Sequence, residues 1–151
     1  MTRKEALTAL IHAAPGLREV LRRWQREGRR PGDGLGDDLA AAARHLAGRR
    51  GALDPELPAA LAVAERCLVE GPNEIRMAVS VGLILQLWRE VGRRPGGRVA
   101  VERLLPPYCR AIWAVCPEVD GKLRSAFDQV GWPTHGVGAE PGVAPDRQPP
   151  S

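Results

Sequence analysis

The sequence predicts an all-α protein: a single compact bundle of six to seven helices followed by a disordered C-terminal tail. Through residues 5–130, apolar residues recur at spacings of three and four, the period of a helix that buries one face. Glycine and proline divide this part of the chain into short segments. No convincing strand pattern interrupts it. At 151 residues, 44% of them hydrophobic, the chain can bury a core of its own.

The first two helices are separated by a proline. Thr2 and Glu5, three residues apart, form a capping box and predict a helix that ends near Ala14. Pro15 suits the first position of a second helix, which we expect to reach Glu27, because its missing N–H would have no partner there.

The next two helices are indicated by acidic start signals. Asp37 or Asp38 can cap a third helix that runs through Ala47. The segment 54–56, Asp-Pro-Glu, predicts the start of a fourth helix, because it offers a cap, a first-turn proline and an acidic side chain near the positive helix end. The Gly-Pro pair at 71–72 ends that helix.

The fifth helix is predicted over Glu74 to Val91, with Asn73 as its cap. Apolar residues surround it almost completely, so we expect it in the middle of the bundle. Gly82 is expected to allow the close approach of a neighbouring helix.

The C-terminal part predicts two more helices and a tail. A sixth helix covers about 98–115, and Pro106-Pro107 must kink or split it. A last helix is expected over 118–130. Of the 19 residues from Pro133 onward, 8 are proline or glycine, which favours disorder. The predicted organisation is therefore a helical domain, 1–132, and a tail, 133–151.

The cysteines and the apolar stretches of the sequence indicate in which cellular compartment the protein is expected. Cys67, Cys109 and Cys116 form no CxxC and are odd in number, which favours buried thiols in a reducing compartment. No signal peptide is visible, and no apolar stretch approaches the roughly 20 residues that a membrane span needs. We expect a soluble, cytoplasmic protein without a membrane partner.

The segment 64–87 passes through a Glu-Gly-Pro turn and continues as Val-Ser-Val-Gly-Leu. It resembles the middle of a group of small bacterial helical domains of unknown function, and the Pro-Gly-Leu turn within 14–17 and Asp38-Leu39 are similar to that group as well. The likeness covers about residues 5–125. The residues 82–84 and Gln86 depart from it, where an aromatic and an acidic residue would be expected. The resemblance implies an immunity-type protein that binds a toxin, and it places no catalytic residue.

Catalytic and cofactor motifs are weak or missing in the sequence. There is no Walker loop and no GxGxxG, and residues that could bind zinc are scattered. A nucleophilic pair of Cys109 with His45 stays open. Four carboxylates could meet on neighbouring helices and bind a metal ion: Glu65, Glu70, Glu74 and Glu90. The Glu-x-x-His motif of such helix-bundle metal sites is absent, which favours the interpretation that these side chains lie on a solvated face. We therefore expect no cofactor, no metal and no enzymatic activity.

The best candidate site is a stripe of arginine on the second helix. Residues 1–50 carry 11 basic and 6 acidic groups, a net charge of +5, whereas the rest of the chain is close to neutral. The predicted partner-binding residues are Arg18, Arg22, Arg26, Arg29 and Arg30, with Arg23, Arg49 and Arg50 extending the stripe. Such a stripe could complement an acidic protein or neutralise phosphates, and the third interpretation is a solvated face in an arginine-rich chain.

Two functions follow from the stripe. The preferred one is a non-catalytic protein-binding module that neutralises a bacterial toxin. The alternative is a nucleic-acid-binding accessory protein that uses residues 18–30. Trp24 is predicted on the opposite, apolar face, so the stripe has no aromatic residue for stacking on bases, which favours a protein partner.

Overall fold

The computed structural model describes residues 1–28, 34–48 and 55–129, and every regular element in these ranges is a helix. This confirms the predicted all-α class. The helices are α1 (Arg3–Ala13), α2 (Leu17–Arg26), α3 (Leu35–Gly48), α4 (Glu56–Glu70), α5 (Asn73–Met77, continuing through Ala78–Leu85 and Gln86–Val91), α6 (Gly97–Glu102) and α7 (Pro107–Gln129). The predicted tail, 133–151, lies outside the described residues.

Contacts divide the chain into two compact units, Met1–Cys116 and Pro117–Ser151. The first unit contains helices α1 to α6 and the first ten residues of α7. Of the second unit, 117–129 are described, and they are helical. In the described ranges no helix combines the length and the apolar composition that a membrane span requires.

The predicted capping box of α1 is confirmed. The Thr2 hydroxyl accepts the N–H of Glu5 at 3.1 Å, and the Glu5 carboxylate accepts the N–H of Thr2 at 2.7 Å. The second helix begins at Leu17 rather than at Pro15, because Pro15 and Gly16 form a turn in which the Leu17 N–H donates to the Ala14 carbonyl at 3.0 Å.

The third helix begins earlier than predicted. Its first residue is Leu35, so neither Asp37 nor Asp38 is the cap. Both backbone N–H groups instead donate to the Gly34 carbonyl, at 3.0 and 3.1 Å. The two acidic side chains therefore lie in the first turn, near the positive end of the helix.

The fifth helix packs against α3 and α4, and its central stretch, Ala78–Leu85, is a π-helix. A Cβ atom at Gly82 would lie 2.9 Å from the Gly36 carbonyl oxygen and 3.3 Å from Leu39 Cβ. The expected close approach at Gly82 is thereby confirmed, with α3 as the neighbouring helix. The helix is not buried all round, since Met77 and Val81 are 65% and 46% exposed.

The turn between α5 and α6 is closed by an arginine. The Arg98 guanidinium lies over the Trp88 ring, 3.4 Å from its centre, and Arg98 Nε donates to the Trp88 carbonyl at 3.1 Å. Gly92 leaves the space that this guanidinium occupies, because a Cβ atom there would overlap it.

The prolines at 106–107 split the chain as predicted, since α6 ends at Glu102 and α7 begins at Pro107. The expectation of a separate last helix from Glu118 is wrong, because α7 continues to Gln129 with Pro117 inside it. Proline removes one helical hydrogen bond, but residues on either side keep helical backbone. The boundary between the two compact units falls at this proline.

The core of the first unit consists mainly of leucine, valine, alanine and isoleucine, as the low aromatic content requires. All three cysteines are buried free thiols, which agrees with the prediction. The largest side chains exposed by less than 2% include Leu10, Leu46, Leu61, Ile75, Leu83, Ile84, Leu85 and Leu87.

Candidate functional site

The described part of the arginine stripe forms one solvent-facing surface on α2, which we call the basic face: Arg18, Arg22, Arg23 and Arg26. All four side chains are exposed. The predicted partner-binding residues Arg29 and Arg30, and the extension at 49–50, lie outside the described residues. Within Leu17–Arg26, four arginines stand against one glutamate, which gives a net charge of +3.

That glutamate, Glu19, lies within the basic face and was not among the residues predicted for the site. Its Oε1 is 3.3 Å from Arg26 Nη2, and its Oε2 is 3.9 Å from Arg22 Nη1. Arg22 and Arg26 follow Glu19 by three and seven residues, which places all three side chains on the same side of a helix, and this spacing in the sequence could have predicted the pairing. These pairs are exposed, and pairs of this kind contribute about 0.2–1 kcal/mol each.

Arg18 and Arg23 have no ion-pair partner within residues 1–28, 34–48 and 55–129. Each guanidinium group carries five N–H donors, which suit a partner that supplies carboxylates or phosphates. The basic face thus combines two arginines that form no ion pair with any described residue and two that share Glu19.

The basic face is presented by a firmly anchored helix. Leu17 and Leu21 are buried on the opposite side of α2, which packs against α3. The Gly16 N–H, just before α2, donates to Glu56 Oε1 at 2.8 Å. The other oxygen of Glu56 lies 3.1 Å from His45 Nε2. One carboxylate therefore connects α4 with α3 and with the turn between α1 and α2.

The open hypothesis of a Cys109–His45 pair finds no support in these contacts. His45 Nε2 faces Glu56, whereas the Cys109 thiol lies 3.7 Å from the Leu61 carbonyl, to which it donates. Burial, and then the nearby Glu65 carboxylate, raise the pKa of Cys109 to about 12. Because the nucleophile is the thiolate, a thiol with this pKa is unreactive at neutral pH.

The four carboxylates considered as metal ligands do not converge. Glu65 accepts the N–H of Tyr108 at the start of α7, and Glu74 pairs with Arg3. Glu90 pairs with Arg93 at 3.4 Å. In the described part of the chain, no three His, Cys, Asp or Glu residues are grouped so that they could hold a metal ion.

Comparison of the chain with protein-family models, with curated proteins and with solved structures found no match. Its class is therefore defined by its own fold and surface. It is an all-α protein that presents a positively charged helix face from an anchored scaffold.

Proposed function

We propose that this chain is a non-catalytic protein-binding module whose basic face receives an acidic surface of a partner protein. The observation that carries the proposal is the set of exposed arginines on a helix held by buried leucines and by the Gly16–Glu56 hydrogen bond. Because the helix is held in place, little ordering entropy opposes association. Arginine is also enriched among the residues that dominate binding energy.

The position of Glu19 favours a protein over a nucleic acid. A phosphate backbone is uniformly negative, so it would have to approach a carboxylate that already engages Arg22 and Arg26. A protein surface can carry both signs of charge, and a cation on it can pair with Glu19 while its carboxylates pair with Arg18 and Arg23.

We further propose a bacterial toxin as the partner. This rests on the resemblance of residues 5–125 to immunity-type helical domains. Neutralisation by occupying a toxin's surface requires only a complementary, rigid face, and no catalytic group. The proposed toxin would be encoded beside this chain and act inside the same cell.

A site-specific cross-link tests the binding face. The photoreactive amino acid benzoylphenylalanine would replace Arg22 in cells, and a matched control would replace Arg103, an exposed residue directly after the end of α6. We expect one protein to be cross-linked from position 22 and not from position 103. Identical products, or none from position 22, would overturn the assignment of the basic face.

Co-expression of this chain with the product of the adjacent gene tests whether the partner is a toxin. The product of the adjacent gene should arrest growth alone, and this chain should restore it, whereas the double variant Arg18→Glu/Arg23→Glu should not. The control Arg44→Glu/Arg103→Glu changes as much charge at exposed positions elsewhere. A duplex DNA or RNA that bound tightly, with an affinity falling steeply as salt rises and lost in the first variant alone, would favour the nucleic-acid function instead.

A further inference from the structure

A second surface, distinct from the basic face, lies between α1 and α4. It is an open groove with a volume of about 610 Å³. Three small or branched apolar side chains form its floor, and three cationic or imidazole side chains stand around it: Ala9, Ala13 and Val63, and Lys4, His12 and Arg66. The floor side chains are half-buried, and the other three are exposed.

The groove exists because small side chains stand where α1 faces α4. The two helices pack through deeper residues, including Ala6 and Leu10 on α1, which are 5% and 2% exposed. Ala9 and Ala13 lie four residues apart, so they follow one another along the same side of α1. With only a methyl group at each position, the space above Val63 stays unfilled.

The charges around the groove are predominantly positive. Lys4 and Arg66 have no ion-pair partner within the ranges that the structure describes. The acidic residue at the groove is Glu5, and its carboxylate is already committed to the Thr2 N–H at 2.7 Å, with the N-terminal amine 4.0 Å away. A ligand that places carboxylates near Lys4 and Arg66 therefore meets cations that no described residue pairs with.

We infer that this groove binds an amphipathic helix of a protein partner, with apolar side chains on the floor and acidic side chains against Lys4 and Arg66. A channel between two helices with an apolar floor suits the insertion of side chains spaced by three and four residues. The groove is too open to enclose a small ligand, which normally buries 70–90% or more of its surface in a pocket. The inference goes beyond the proposed function, since it uses none of the residues of the basic face.

The test uses a synthetic peptide and the full-length chain. The probe is a helical peptide of about 15 residues, the length at which an isolated helix becomes marginally stable, with leucine on one face and glutamate flanking it. Its controls are a scrambled peptide of the same composition and a version with lysine in place of glutamate. In a titration followed by backbone amide NMR, we expect shifts concentrated at 4–13 and 63–66 for the glutamate peptide alone.

Variants of the groove make the assignment specific. Lys4→Glu/Arg66→Glu should weaken binding of the glutamate peptide by about tenfold or more, and Ala9→Leu should abolish it by filling the floor. Arg44→Glu/Arg103→Glu and Arg18→Glu/Arg23→Glu should leave it unchanged, which separates this inference from the proposed function. Circular dichroism and the unfolding midpoint would verify that each variant is folded.

Several outcomes would overturn the inference. These are the absence of shifts at millimolar peptide, equal binding of the scrambled peptide, and full affinity in the groove variants. Shifts at the same residues with octanoate but not with the peptide would assign the groove to a small amphiphile instead of a helix.

Discussion

Both carboxylate oxygens of Glu65, on α4, accept a hydrogen bond from the backbone N–H of Tyr108, at 2.6 and 2.9 Å. One of them also lies 3.3 Å from the N–H of Cys109. The first N–H groups of a helix have no partner within the helix, and α7 begins at Pro107 directly after Pro106, so no Ser, Thr, Asp or Asn stands at the capping position. A residue more than 40 positions earlier therefore caps α7, and its negative charge faces the positive end of the helix.

Replacing Glu65 by alanine should lower the free energy of unfolding by about 1–2 kcal/mol, the effect of losing a helix cap. The reason is that the N–H groups of Tyr108 and Cys109 lose their charged acceptor. Urea denaturation measures the change. Glu102→Ala removes an equivalent charge from an exposed position and should have an effect below about 0.5 kcal/mol. Equal effects of the two variants would contradict the capping role.

Gly82→Ala should destabilise the protein by about 1–3 kcal/mol, because the added methyl group would meet the backbone oxygen of Gly36 at 2.9 Å. Gly36→Ala provides a matched control from the same helix contact, since a Cβ atom there meets nothing within 4 Å. We expect Gly36→Ala to leave the stability unchanged or to raise it by up to about 1 kcal/mol. Thermal unfolding of the two variants side by side decides the matter, and a reversed order of stability would refute the tight α3–α5 contact.

Stability should fall as the pH rises above 9. Burial raises the pKa of Cys109 from 9.0 to about 12, so between these values the native thiol keeps a proton that the unfolded thiol loses. The unfolded state then binds fewer protons, and the free energy of unfolding decreases with pH by up to about 1.4 kcal/mol per pH unit from this group.

The variant Cys109→Ala isolates that contribution. The variant should be less stable than the wild type at pH 7, because the missing sulfur atom leaves a small cavity. Between pH 9 and 10.5, however, its free energy of unfolding should decline less steeply than that of the wild type. Burial also raises the pKa of Cys67, so Cys67→Ala should show the same kind of change. Parallel slopes for the wild type and Cys109→Ala would show that this thiol is not protected in the native state.

Glu56→Ala should lower the free energy of unfolding by about 1.5–3 kcal/mol, the range for hydrogen bonds to charged groups. Without the carboxylate, the Gly16 N–H and the His45 ring lose a partner. Amide hydrogen exchange supplies a local readout, because the Gly16 N–H should exchange faster. Glu27→Ala, at an exposed position on the chain just after α2, serves as the control. Unchanged exchange at Gly16 in Glu56→Ala would rule out the anchoring hydrogen bond.

Local signals account for the helix boundaries that the sequence predicted well. The Thr2–Glu5 capping box acts within one turn, and so does the splitting effect of Pro106-Pro107. The errors arose where a signal permits two outcomes. Pro15 fits the first turn of a helix or a tight turn before it. The break expected between 115 and 118 contains Pro117, a residue type that often ends a helix but here lies inside one.

The candidate site likewise has some features that the local sequence predicts and others that it leaves open. The arginines of the basic face and their exposure follow from helical periodicity, whereas the pairing of Glu19 with Arg22 and Arg26 depends on side-chain conformations that the periodicity leaves open. The groove between α1 and α4 could not be predicted, because it depends on which helices pack together.

The all-α class, the order of the helices and the approach of another helix at Gly82 follow from the amino-acid sequence. Each depends on interactions between residues a few positions apart or on the absence of a side chain. Three further features required the folded structure: Glu65 caps α7, Glu56 joins three segments of the chain, and α3 is the helix that meets Gly82. A carboxylate or a vacant Cβ position can accept many partners, and the packing of helices that are distant in sequence brings one particular partner within reach.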